Sequence, residues 1–123
     1  MSDPARTVHI VDDDEAIRQS VGFMLRKAGH TVEAYVSGVQ FLKTATRETR
    51  GCVLLDVRMP EIDGLEVQAR LAEQGITLPI IMLTGHGDVT LAVRAVKAGA
   101  IEFLEKPFER IAFAAGLGEA QPG

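Results

Sequence analysis

Short apolar runs alternate along the chain with longer segments in which apolar residues recur every three or four positions. The short runs are rich in β-branched residues, which is typical of strands, whereas the longer segments have the spacing of amphipathic helices. Five such pairs are visible, and the predicted strands are residues 8–11, 32–36, 53–55, 80–83 and 101–104. The pattern predicts an α/β domain of five βα units.

Helix boundaries are marked by capping residues. The first helix is expected to end at Gly29, and Ser37 is a suitable N-cap for the second. The third and fourth helices are expected to begin near Gly64 and Asp88, and the fourth to end at Gly99. These signals agree with the periodicity and divide the chain into units of similar length.

The third and fourth predicted strands are apolar throughout instead of alternating with polar residues. Central strands of a parallel sheet have this character because both of their faces are covered. The sequence therefore predicts a three-layer α/β sandwich. For five strands joined by right-handed crossovers, the flavodoxin-like (βα)5 order 2-1-3-4-5 is the common arrangement.

Polar residues that could carry chemistry stand where four of the predicted strands end. Ligands of open α/β sheets bind beyond the carboxyl ends of the strands, so these side chains should share one edge. Taken singly, each has an ordinary structural explanation, and one of the three successive aspartates is expected to be an N-cap. The residues are Asp12, Asp13 and Asp14 after the first strand, Asp56 and Thr84 at the ends of the third and fourth, and Lys106 after the fifth.

The predicted site carries excess negative charge, since carboxylates from neighbouring strands would repel one another. Mg²⁺, or Mn²⁺ in its place, is the simplest compensation, because such hard ions take carboxylates, carbonyls and waters as ligands. A bound metal and the Lys106 ammonium would also offset the charge of an incoming phosphoryl group, and the Thr84 hydroxyl could donate to one of its oxygens. The residues predict metal-assisted phosphoryl chemistry but leave Asp12, Asp13 and Asp56 open as the acceptor.

Composition limits the class of protein. The 123 residues fit one domain, and 46% hydrophobic content is enough for a core. A single cysteine, Cys52, suits a reducing compartment. No segment looks like a signal peptide, and no apolar run approaches the roughly 18 residues of a membrane span, so a cytoplasmic protein without membrane contact is expected. A net charge of -4 argues against nucleic-acid binding by this stretch alone.

Four motifs resemble those of the receiver domains of bacterial two-component response regulators. One motif alone is weak, but four in this order and spacing are highly specific. The resemblance implies an N-terminal tail over residues 1–6, a receiver domain over 7–117, and a C-terminal tail or linker over 118–123. The motifs are residues 10–15, residues 55–60 with Asp63 and Gly64, residues 83–85, and residues 105–108.

The resemblance implies a role for each site residue. Asp56 would be the phosphoacceptor, phosphorylated by a sensor histidine kinase. Asp13 and Asp56 would bind Mg²⁺ directly, Asp12 would act through a water, and the backbone carbonyl of Arg58 would complete the protein ligands. Lys106 would contact the phosphoryl group. The domain would be a signalling module that catalyses only its own phosphorylation and dephosphorylation.

The family also implies a switch. Thr84 would move toward the phosphoryl group, and Phe103 would turn inward behind it. The surface of the fourth helix, fifth strand and fifth helix would be the output, and phosphorylation could lead to a homodimer through it. A cis peptide is implied between Lys106 and Pro107, and proline makes that isomer accessible at low cost.

Residues 84–89 and 92–100 closely resemble the FixJ-like regulators, in which a receiver is joined to a helix-turn-helix DNA-binding domain. The present sequence contains no such domain. It is either a receiver cut from a longer transcription factor, which we favour, or a single-domain regulator that acts on a partner protein. Contact with DNA would require the additional domain.

Arg58 and His86 each lie two residues beyond a site residue and should flank the mouth of the pocket. There they could admit or block the water that hydrolyses the acyl phosphate. We expect them to set the lifetime of the phosphorylated state.

Three other functions fit parts of the pattern. A haloacid-dehalogenase-type phosphatase would use the Asp12 and Asp14 spacing, but Ala16 departs from its motif and Asp56 would have no role. A flavodoxin-like nucleotide binder needs a phosphate loop where this chain has aspartates. A degenerate receiver that binds proteins without phosphorylation is disfavoured by the intact set of site residues, but it stays open.

Overall fold

A computed structural model describes residues 6–85 and 87–106 and contains one five-stranded parallel sheet. The strand order is β2-β1-β3-β4-β5, so the flavodoxin-like order expected from the sequence is confirmed. Each predicted strand differs from the observed one by at most one residue at either end. The strands are β1 Thr7–Val11, β2 Thr31–Tyr35, β3 Cys52–Asp56, β4 Ile80–Thr84 and β5 Glu102–Glu105.

Four helices lie within the described ranges, and their boundaries follow the predicted caps. Ser37 accepts a hydrogen bond from a first-turn backbone N–H, as expected of an N-cap. Gly29 and Gly99 follow the first and fourth helices with φ of +97° and +124°, a region that glycine enters without strain. The helices are α1 Glu15–Lys27, α2 Gly38–Thr44, α3 Gly64–Glu73 and α4 Val89–Lys97.

The sheet forms the middle layer of three. All five residues of both β3 and β4 are buried, as their continuous apolar character predicted. Helix α1 covers one face through Val21 and Leu25. The other face is covered by α2, α3 and α4, whose buried contacts are Phe41, Val67, Leu71, Ala92 and Ala95.

Several predictions fall outside the described ranges. They concern the fifth helix, the C-terminal tail, most of the N-terminal tail, His86, and the peptide between Lys106 and Pro107. Among the helices that the structure does describe, none has the length and apolar character needed to cross a lipid bilayer.

The register of the sheet determines which residues meet at its carboxyl edge. Val11 is level with Leu55 in the neighbouring strand, so Asp12 emerges beside Asp56. On the other side of β3, Asp56 is level with Leu83. The same edge continues to β5, where the backbone N–H of Lys106 donates to the Thr84 carbonyl at 2.8 Å.

Candidate functional site

The structure brings Asp12, Asp13 and Asp56 together. One carboxylate oxygen from each lies within 4.8 Å of the others, although Asp12 and Asp56 are buried and Asp13 is exposed. The cluster forms because β1 and β3 are adjacent and both end at this edge. Three hard oxygen donors at this spacing could hold a metal ion.

Asp14 has a different task from its two neighbours. Its side chain accepts a hydrogen bond from the Ala16 N–H at 2.9 Å and thereby caps α1. Its own backbone N–H donates to Asp12 Oδ1, also at 2.9 Å. Arg18 holds the same loop from the helix side, because Nη1 donates to the Asp12 carbonyl at 2.8 Å. The expectation that one of the three aspartates is a cap is therefore met by Asp14, and the loop orients Asp12.

Lys106 supplies positive charge beside two of the three carboxylates, those of Asp12 and Asp56. Its Nζ lies 2.9 Å from Asp12 Oδ2 and 3.5 Å from Asp56 Oδ1. Partial burial lowers the pKa of the Lys106 ammonium, but the hydrogen bond and charge of Asp12, together with Asp56, more than reverse this, so the pKa lies above its ordinary value. The lysine therefore stays charged and bridges the two buried carboxylates.

Asp56 is in an environment that opposes ionisation. Burial raises its pKa to about 7, the negative charge of Asp12 adds to the rise, and Lys106 opposes it. The Arg58 N–H, which approaches Asp56 Oδ1 at 3.4 Å, gives only weak help. One lysine thus does not neutralise the negative charge of the nearby carboxylates. The site therefore suits an additional cation, such as a hard divalent metal ion.

Gly64 allows the chain to return close beneath Asp56. Its N–H donates to the Val57 carbonyl at 2.8 Å. A Cβ at this position would lie 2.5 Å from the Asp56 carbonyl oxygen, which is well inside the contact distance. Only glycine fits there without displacing the backbone that carries the Asp56 side chain.

The two predicted switch residues occupy different environments. Thr84 is fully buried at the end of β4, and its hydroxyl donates to the Gly85 carbonyl at 3.2 Å. Phe103 is half-buried, is paired with Met82 across β4 and β5, and packs against the core beneath α2, α3 and α4. The Thr84 hydroxyl is therefore engaged locally and would have to exchange partners to reach a group on Asp56.

Asp88, for which the sequence predicted only a position near a helix start, pairs its carboxylate with Arg58. Asp88 Oδ1 lies 3.0 Å from both Nε and Nη2 of Arg58. The hydrogen bond and charge of Asp88 raise the pKa of the Arg58 guanidinium. The two residues are 30 positions apart, so the available signal was only an acidic residue near a predicted helix start.

A parallel α/β sheet with three acids and a lysine at one edge is an arrangement that could hold a metal ion and a phosphoryl group. Comparison with known proteins narrows the class of protein. Residues 8–116 match the response regulator receiver domain family, and the chain belongs to that family. Its members are the receiver domains of response regulators, which are signalling domains.

Individual relatives agree with this assignment. Response regulator protein TodT of Pseudomonas putida F1 is 47% identical over 108 residues, which are 88% of this chain and 48% of TodT. Transcriptional regulatory protein FixJ of Azorhizobium caulinodans is 46% identical over 110 residues, which are 89% of this chain and 52% of FixJ. The chain thus spans about half the length of the curated relatives it matches.

Solved structures give the same result. The crystal structure of FixJ-N has a TM-score of 0.88 at 43% identity, over 98% of this chain and 95% of that one. The low-resolution structure of response regulator StyR has a TM-score of 0.87 at 43% identity, over 94% of this chain but only 58% of StyR. The resemblance to FixJ-like receivers noted from the motifs is confirmed.

Proposed function

We propose that this domain accepts a phosphoryl group on Asp56 from a sensor histidine kinase. The observation that carries the proposal is the buried Asp56 carboxylate, which stands beside the Lys106 ammonium and within reach of two further acids. Asp12 is already paired closely with Lys106. Asp13 is the most exposed member of the cluster and is better suited to bind a metal than to be held against an incoming phosphorus.

The reaction transfers a phosphoryl group between two nucleophiles. An Asp56 carboxylate oxygen forms the new O–P bond while the N–P bond of a phosphohistidine breaks, and the imidazole leaves with the electron pair. Lys106 moves its charge from Asp12 and Asp56 toward the phosphoryl oxygens. Mg²⁺ held by Asp12, Asp13, Asp56 and the Arg58 carbonyl would supply the remaining positive charge. Positioning and charge stabilisation account for most of the catalysis.

The product is an acyl phosphate, which adds negative charge and strong acceptor oxygens to a site bordered by loops. The Thr84 hydroxyl would donate its hydrogen bond to a phosphoryl oxygen in place of the Gly85 carbonyl. The Phe103 side chain would then turn inward behind Thr84. The equilibrium between two arrangements of α4, β5 and the predicted fifth helix would shift as a result. We propose this surface, including a homodimer formed through it, as the output.

The length of the relatives supports a longer parent protein. FixJ and TodT each extend to about twice the matched length. We propose that the receiver over residues 7–117 controls an attached output domain that binds DNA, with residues 118–123 as the start of the linker.

Phosphorylation is tested by incubating the domain with acetyl phosphate and Mg²⁺ and measuring its intact mass. The wild type should gain one phosphoryl group, and Asp56→Asn should gain none because an amide nitrogen and oxygen are poor nucleophiles. Asp14→Asn is the matched control, since asparagine also caps a helix and the adduct should form normally. An adduct that persists in Asp56→Asn would disprove the assignment of the acceptor.

The same adduct allows the lifetime of the phosphorylated state to be measured. We propose that the Arg58 side chain shields the pocket mouth from water, and that His86 has a similar role. After removal of acetyl phosphate, the adduct should decay several-fold faster in Arg58→Ala than in wild type. Equal decay rates in the two proteins would show that Arg58 does not limit access of water.

A further inference from the structure

The first turn of α4 lacks the side-chain cap that the other three described helices have. Asp14, Ser37 and Asp63 each accept a hydrogen bond from a backbone N–H in the first turn of α1, α2 and α3, respectively. Asp88 holds the equivalent position before α4 but makes no such bond. Since aspartate is one of the best N-cap residues, its failure to cap requires a physical cause.

The cause is the contact between Asp88 and Arg58. Asp88 Oδ1 lies 3.0 Å from two nitrogens of the guanidinium, and the carboxylate makes no hydrogen bond to the first turn of the helix. The Asp88 backbone has ψ of 16°, whereas the three capping residues have ψ of 112°, 162° and 177°. An extended N-cap backbone directs the side chain toward the first-turn N–H groups. Pairing with Arg58 and capping of α4 are therefore alternative uses of one carboxylate.

The pair also connects the candidate phosphoryl site to α4. Arg58 lies in the loop directly after Asp56, and its own N–H points to the Asp56 carboxylate. Asp88 ends the loop that follows Thr84, where its N–H donates to the Gly85 carbonyl at 3.1 Å. The Arg58 side chain is mostly exposed and Asp88 is largely covered, so the arginine is the partner that can swing away.

We propose that the Arg58–Asp88 pair is a latch that keeps α4 uncapped while Asp56 is unphosphorylated, and that phosphorylation releases Asp88 to cap the helix. The inference rests on the proposed function, since the acyl phosphate is the signal. Phosphoryl oxygens on Asp56 compete with Asp88 for the Arg58 guanidinium, whose planar fork binds phosphate as well as carboxylate. The freed Asp88 then accepts from the N–H groups of Thr90 or Leu91.

The latch makes capping of α4 and phosphorylation of Asp56 thermodynamically linked. A change that frees Asp88 favours the capped helix before any phosphoryl group arrives, and the capped helix in turn favours the phosphorylated site. Removal of the Arg58–Asp88 ion pair should therefore order the first turn of α4, because Asp88 becomes free to cap it. A pair that served only to stabilise the loop would have the opposite effect.

Hydrogen exchange of the backbone amides of Thr90 and Leu91 tests the latch. In unphosphorylated Arg58→Ala, these amides should exchange roughly fivefold more slowly than in wild type, which is the factor expected of a hydrogen-bonded N-cap. Wild type treated with acetyl phosphate and Mg²⁺ should show the same slowing. Unchanged or faster exchange in Arg58→Ala overturns the proposal.

Two controls identify the source of the effect. Asp88→Ala removes both the pair and the cap, so it should show no slowing with or without acetyl phosphate, and slowing there overturns the proposal. Arg70→Ala breaks a comparable exposed ion pair, in which Arg70 Nε lies 2.9 Å from Glu66 Oε2, and should leave the α4 amides unchanged. The Arg58→Ala measurement needs no phosphoryl group. A failed latch with a normal phosphoryl adduct therefore leaves the proposed function intact. A missing adduct with slowed exchange in Arg58→Ala would reject the proposed function and the release of the latch by phosphorylation, and would leave only the competition between Arg58 and the α4 cap for Asp88.

Discussion

Asp56→Asn is expected to stabilise the metal-free protein above pH 7 by about 4 kcal/mol, because the wild-type carboxylate must ionise in a buried, acidic environment. The folded protein retains the Asp56 proton up to about pH 7, whereas the unfolded chain loses it near 3.8. Between these values the folded state binds more protons, so the wild-type free energy of unfolding falls as pH rises. A neutral amide of similar shape removes this contribution.

The measurement is urea unfolding of wild type and Asp56→Asn from pH 4 to 8 in the presence of a chelator. The difference in unfolding free energy should be small at pH 4, grow with pH and level off above pH 7. Asp14→Asn, which changes an aspartate outside the cluster, should follow the wild-type curve. Parallel curves for wild type and Asp56→Asn would contradict the raised pKa. Added Mg²⁺ should reduce the difference, because a cation favours the ionised wild-type site.

Lys106→Met is expected to destabilise the metal-free protein by about 3–5 kcal/mol at pH 8, since it leaves two buried carboxylates without their cation. Methionine preserves most of the side-chain volume, so lost packing contributes little. The effect should shrink at pH 5, where Asp56 is protonated and only Asp12 needs the lysine. Phosphorylation by acetyl phosphate should also be much slower, because the charge on the phosphoryl oxygens is no longer offset.

Lys43→Met provides the matched comparison. Lys43 is exposed in the last turn of α2, and its replacement should change the unfolding free energy by no more than about 0.5 kcal/mol. Denaturant unfolding at pH 5 and pH 8 distinguishes the two variants. A Lys106→Met protein as stable as Lys43→Met at pH 8 would show that the lysine does not compensate the acids.

The fold was predictable because its signals are local. The continuous apolar runs identified β3 and β4 as central strands, and Ser37 and the glycines located helix ends within a residue or two. The fifth strand was placed one residue early, since the apolar Ile101 looked like its first member. In the structure Ile101 is exposed and lies just before the strand, where its N–H donates to the Ile80 carbonyl. Hydrophobicity alone did not reveal that bend.

The site was predictable in its membership but not in its energetics. The positions of the strand ends were enough to predict that Asp12, Asp13, Asp56 and Lys106 lie close together. Lys106 lies closer to Asp12 than to Asp56. This difference depends on side-chain geometry, which the separation of residues along the sequence does not predict. The raised pKa of Asp56 likewise depends on its burial. The role of Asp88 was missed because its partner lies on another loop, and the same residue type is an ordinary N-cap in most helices.

The uninterrupted burial of β3 has a mechanical consequence. Asp56 is the last residue of a strand that is hydrogen-bonded on both sides and covered on both faces, in the part of a domain that opens only when the whole domain unfolds. Such a strand would hold Asp56, the proposed acceptor, in a fixed position while the side chains of Lys106, Arg58 and Thr84 rearrange around it. Conformational change that follows phosphorylation would then spread through the loops at the carboxyl edge of the sheet and not through β3. Each cycle of phosphorylation would therefore leave the core of the fold intact.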